Sequence, residues 1–175
     1  MKRICTIITS VFLIVSLKAQ SNFSIERSDT IPMTKAQIYD EAKRFISEYW
    51  NSEDAIKNDD KETGIIMVKG LIYKTINYQF EHKYIYSYVA KFLMKEKKYK
   101  IIIDHVECIS AICEINVNCQ YVELCDGCEY HESSETYLNE RAWKYLMNSV
   151  KSELVGIADK YEKYLKSSSP SSPNW

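Results

Sequence analysis

The chain has 175 residues, 46% of them apolar and 27% charged, and its 23 basic and 24 acidic side chains nearly cancel. That balance excludes a strongly basic nucleic-acid binder, and four glycines and three prolines are too few for a fibrous or low-complexity protein. Three histidines and six cysteines bound the side chains on offer for metal or nucleophile chemistry.

In MKRICTIITSVFLIVSLKAQ, Lys2 and Arg3 precede an apolar run from Ile4 to Leu17, and the small Ala19 ends it. This order reads as a secretory signal peptide over residues 1–20, cleaved after Ala19 or Gln20. The run is shorter than the ~20 apolar residues of a bilayer span, and no later stretch is as apolar, so no transmembrane segment is expected in the mature chain. No cysteine follows the run to carry a lipid. The expected destination is therefore the periplasm or the exterior, and not as a lipoprotein. Cleavage removes Lys2, Arg3 and Lys18 but no acid, leaving 20 basic against 24 acidic residues, a surface that disfavours phosphate backbones.

FSIERSDTI, from Phe23, reads as an edge strand. Thr34 and Gln37 then stand three apart at the head of a helical pattern, as in a capping box, and Ile38, Ala42, Phe45, Ile46 and Tyr49 fall on one face of that helix. DKETG supplies a turn and Ile65–Ile76 a β-branched strand. From Tyr84 the period is two, with Tyr84, Tyr86, Tyr88, Ala90, Phe92 and Met94 on one face. The charged KEKK breaks the run and YKIIIDHVE resumes it, which makes an antiparallel hairpin. A further strand is expected over Ala111–Leu124, with Cys113 and Cys119 on its apolar side. A long helical pattern follows, with Leu138, Ala142, Tyr145, Leu146, Val150, Leu154, Ile157, Tyr161 and Leu165 as its stripe and Gly156 as a place for a bend.

Two amphipathic helices and four or five strands bury their stripes by placing both helices on one face of an antiparallel sheet, an α+β fold. The organisation is a leader at 1–20, one domain over 21–166 and a Ser/Pro-rich disordered tail at 167–175.

The segment from Ile38 to Ile72 resembles an uncharacterised family of exported bacterial proteins, domain of unknown function 4468, with a TATA-binding-protein-like (TBP-like) fold. The carriers are the Tyr39–Trp50 helix, Ala55-Ile56, the turn ending at Gly64 and Lys69-Gly70; KFLMKEKKYKIIIDHVEC resembles the family's strand, basic turn and strand. The resemblance implies one curved antiparallel sheet backed by two helices in the order β-α-β-β-β-β-α. It implies no activity, and nucleic-acid binding does not carry over to an acidic, exported chain.

Cys125, Cys128 and His131 have a C-x₂-C-x₂-H spacing, half of a zinc site that Cys119, Cys108 or His105 would have to complete. In an oxidising compartment the same thiols close into bridges, so the first reading is a disulfide drawn from Cys108, Cys125 and Cys128. Reduced thiols, a zinc site and a CxxC redox centre are the alternatives. No cofactor is expected otherwise. His105 shares the parity of Ile101 and Ile103 and reads as a structural histidine, and Asp59, Asp60 and Glu62 read as a solvated turn rather than a calcium loop. No catalytic residue is singled out. Tyr84, Tyr86 and Tyr88 are candidates for a recognition surface. The functional reading is a non-catalytic binding or interaction module of the cell envelope whose partner is an unknown ligand or envelope protein. A thiol redox or metal-dependent enzyme using Cys125, Cys128 and His131, and a structural envelope component, stand as alternatives.

Overall fold

The computed structural model describes residues 23–51, 53–78, 80–113 and 139–169. The elements are β1 (Ile25–Thr30), α1 (Lys35–Trp50), a short 3₁₀ turn (Glu53–Ala55), β2 (Ile56–Asp60), β3 (Ile65–Tyr78), β4 (Phe80–Lys95), β5 (Lys98–Cys113) and α2 (Glu140–Ser168). All strands join one antiparallel sheet in the order β1-β5-β4-β3-β2, with both helices against the same face. Phe92 of β4 fixes that arrangement, because its ring meets Phe45 of α1 at 6.3 Å and Tyr161 of α2 at 4.8 Å.

Local chemistry sets the element ends. The Thr34 side chain accepts from the Gln37 backbone N–H while the Gln37 side chain accepts from the Thr34 backbone N–H at 2.8 Å, the expected capping box. Asn139 caps α2 by accepting from Ala142 N–H at 2.8 Å. In the β2–β3 turn Asp60 accepts from the backbone N–H groups of Glu62 and Thr63, at 2.9 and 3.0 Å, which makes the acidic run a turn as read. Its neighbour Asp59 instead receives the Tyr39 hydroxyl and the Lys43 ammonium. Gly64 closes that turn at φ +74°, where a side chain would be strained and would strike the Met94 carbonyl.

The helix-covered face is almost entirely apolar. Ile66, Val68, Ile72 and Ile76 of β3, alternate residues from Tyr84 to Met94 of β4, and Tyr99, Ile101 and Ile103 of β5 are buried under Ile38, Ala42, Phe45 and Ile46 of α1 and Leu146, Val150, Leu154, Ile157, Tyr161 and Leu165 of α2. Gly70 lies opposite Tyr88, and the Tyr88 ring fills the space a side chain at Gly70 would need. Gly156 introduces no break in α2, which runs to Ser168, two residues into the segment read as tail. Tyr145, expected on the buried stripe, is 65% exposed, and Met147 is buried in its place.

The element order matches the expectation, yet the strands differ from those read in the sequence. The first strand after α1 is β2, whose IKNDD has no apolar alternation and pairs along the edge of β3. The segments read as two strands, Tyr99–Glu107 and one beginning at Ala111, are continuous within β5 as far as Cys113. The remainder of that expected strand lies outside the described residues, as do residues 1–20, Leu138 and the tail beyond Ser169.

Candidate functional site

Both helices sit on one side of the sheet, so the opposite face is left to the alternate residues of the same strands. On it Ile65, Met67, Ile85, Val89, Leu93 and Ile102 are half-buried among lysines and acids. Leu71, Tyr73 and Ile109 are 45%, 67% and 44% exposed. Register places Tyr73 opposite Ile85 and Ile85 opposite Ser110, next to Ile109, so the exposed apolar residues form one patch across β3, β4 and β5.

Two irregularities in β5 shape this face. Val89 pairs with Asp104 but Ser87 with Glu107, and Ile85 pairs with Ser110 but Tyr86 with Cys108, so each interval holds one extra residue on β5. An unbroken period of two would have driven both His105 and Glu107 into the core beneath the helices. The first bulge turns Val106 and Cys108 inward instead, and the second restores Ala111 to the same side. His105 takes the strained position, at φ +52°, and its side chain is 63% exposed. The expectation of a structural histidine in line with Ile101 and Ile103 is therefore corrected.

The displaced imidazole joins a charged cluster. His105 Nδ1 lies 2.7 Å from one Asp104 oxygen and Lys91 Nζ donates to the other at 2.6 Å. Partial burial pushes the Asp104 carboxyl upward, but the hydrogen bonds and charges of Lys91 and His105 outweigh it and hold the group below the usual carboxylate range. Asp104 thus holds His105 through Nδ1 while the side chain stays largely exposed.

Tyr84, Tyr86 and Tyr88 do not line this surface. They are 3%, 0% and 2% exposed on the helix-covered face, because the alternative face of β4 carries Lys83, Lys91 and Lys95, whose charges stay in water. Burial raises their phenols, Tyr84 to about 12. Cys108 is half-buried mid-strand, where its thiol donates to the Ser110 carbonyl at 3.5 Å. It does not end a strand, since β5 runs on to Cys113. Cys125, Cys128 and His131 lie outside the described residues. Among the described residues no group of three histidine, cysteine or acidic side chains is placed to hold a metal, and no helix is long and apolar enough to cross a membrane.

A cleft of about 780 Å³ between α1 and β2 is lined by Lys43, Arg44, Ser47, Asn51, Ile56 and Asp59. Its cations are engaged within the chain, Lys43 with Asp59 at 2.6 Å and Arg44 with Glu41 at 2.9 Å, so the open sheet face is the stronger candidate.

Neither a protein-family profile nor a curated protein matches the chain. Solved structures do. A DUF4468 family protein from Bacteroides ovatus superposes with a TM-score of 0.54 at 13% identity, over 80% of this chain and 86% of that one. A TBP-like protein from Parabacteroides distasonis gives a TM-score of 0.52 at 12% identity, over 81% of this chain and 93% of that one. The single five-stranded antiparallel sheet with two helices on one face is thus the TBP-like α+β fold, shared with a structure from the DUF4468 family.

Proposed function

We propose that the chain is a non-catalytic binding module of the cell envelope or its exterior and that it engages its partner through the open face of the sheet. One observation carries the reading: the helices leave uncovered a face on which Leu71, Tyr73 and Ile109 are solvated together. Apolar surface gains roughly 25 cal/mol per Å² when removed from water, and a contiguous patch of it beside charged groups has the composition of an interaction surface. The charge, apolar and small-residue order of residues 1–20 supports export.

The test is a photo-reactive amino acid placed at Tyr73, on the open face, and in parallel at Lys160, exposed on α2, in the producing cell. The expected result is a covalent adduct from position 73 that Leu71→Asp abolishes. Adducts of equal yield from both positions, or none from position 73, overturn the proposal.

A further inference from the structure

We infer that the partner is an extended, uncharged segment of another polypeptide, added as a further strand along the free edge of β3 where it borders the open face, an inference that rests on the binding reading above and names its partner. The ladder places that edge. Met94 N–H donates to the Gly64 carbonyl at 2.8 Å at the head of the β3–β4 register, so the even-numbered residues of β3 turn their main-chain groups to β4 and the odd-numbered ones turn theirs away. Strand β2 pairs with that outer side only from Ile65 to Val68. Beyond Val68, among the described residues, no strand pairs there, and the N–H and C=O groups of Leu71, Tyr73, Thr75 and Asn77 face outward along an open edge.

Side chains mark the same edge from both sides. Of the four large apolar side chains exposed among the described residues, Leu71, Tyr73 and Tyr145 flank it, while Ile109 lies two strands away on β5. Leu71 and Tyr73 stand on the open face. Tyr145 stands on the helix side, where a cavity of about 440 Å³ between β3 and α2 is lined by Lys74, Tyr145, Asn148, Ser149, Ser152 and Glu153. The strip itself is narrow: from Lys69 to Tyr78 it is ~34 Å long and one strand spacing, ~4.8 Å, wide, or roughly 160 Å². A folded partner in a standard interface covers ~800 Å², whereas a row of alternating donors and acceptors is matched by the main chain of one extended segment. Charge narrows the class further. From Leu71 to Asn77 the strand carries one charge, Lys74, which Glu153 already neutralises, so the strip favours uncharged side chains. Alternate residues of the added segment then pack beside Leu71 and Tyr73, and those between them enter the cavity beside Tyr145.

The test extends the photo-reactive experiment in the producing cell. With the reactive residue at Tyr73 or, separately, at Tyr145, both positions are expected to yield adducts with one partner, at sites within one short stretch of its chain, because a single strand passes between them. Thr75→Pro removes an outward N–H and leaves the ladder to β4 whole, so it is expected to lower the Tyr73 adduct about tenfold or more, whereas Thr75→Val keeps the N–H and is expected to retain it. Ser149→Trp fills the cavity on the opposite side of the sheet from Tyr73 and is expected to lower the same adduct. Unchanged thermal unfolding of the purified variants separates lost binding from lost fold, and Ser149→Trp carries the test if Thr75→Pro does not fold. A Tyr73 adduct that survives both substitutions keeps the open face as a binding surface and overturns strand addition. Adducts that form only with a second copy of this chain overturn the partner named here. No adduct from Tyr73 in the otherwise native chain removes both readings.

Discussion

The burial of the tyrosine ladder makes an alkaline-unfolding experiment decisive about which sheet face is covered. Desolvation pushes Tyr84 and Tyr99 up to about 12 and raises Tyr86, Tyr88 and Tyr161 as well, against ~10 for a free phenol. For an acid buried in its neutral form, the stability contribution is complete below the unfolded pKa and is lost as pH rises toward the folded one. Between pH ~10 and ~12 each such phenol removes ~1.4 kcal/mol of stability per pH unit, so Tyr84, Tyr86, Tyr88 and Tyr161 together remove roughly 5 kcal/mol per unit. Tyr99 acts in the same direction. A domain with a net stability of ~5–10 kcal/mol therefore unfolds one to two units above pH ~10. Tyrosinate absorbance and far-UV circular dichroism, followed together against pH, are expected to show the buried phenols ionising in one steep step that coincides with loss of helix. Tyr84→Phe with Tyr86→Phe is expected to make that step shallower. A smooth rise to the full tyrosinate count with secondary structure intact would refute the reasoning, because it would mean that Tyr84, Tyr86 and Tyr88 face water.

Gly70→Ala is expected to destabilise the domain by about 1–3 kcal/mol in urea unfolding, since the added methyl meets the Tyr88 ring; the loss is expected to shrink in a Tyr88→Ala background, and equal losses in both backgrounds would remove the contact as cause. His105→Gly and His105→Ala both lose the Asp104 contact, but only glycine adopts φ +52° without strain, so the glycine variant is expected to be the more stable of the two in urea unfolding, and an alanine variant of equal or greater stability would count against the strain at the bulge.

Much of the architecture was legible where the sequence pattern and the fold obey one rule. The Thr34–Gln37 capping box, the α1 stripe, the Asp60–Gly64 turn and the KEKK hairpin each depend on residues close in sequence, and each is found where the pattern places it. Strand β2 was not legible, because IKNDD is an edge strand held by backbone pairing to β3 and has no apolar face to announce it. The tyrosine surface was misplaced for a different reason. Ring chemistry suits Tyr84, Tyr86 and Tyr88 to recognition, but the choice of covered face is made by what cannot be buried, and on β4 the lysines at 83, 91 and 95 make it.

The same rule shows why the candidate site sits at an irregularity in β5. Carried past Ile103 in strict alternation, the strand would bury His105 and Glu107 and expose Val106 and Cys108, an arrangement whose polar burial costs more than a local break in the ladder. The conflict is written in DHVEC itself, where polar residues fall on the parity of the preceding isoleucines. Bulges at His105 and Ile109 resolve it and, in doing so, place an imidazole on the Asp104 carboxylate and leave Ile109 and Glu107 on the solvated face. The features that distinguish the open face are thus by-products of keeping charge out of the core. A chain with apolar residues at 105 and 107 would need neither bulge and would present on that side of β4 a regular strand without the Asp104–His105 pair or the exposed Glu107.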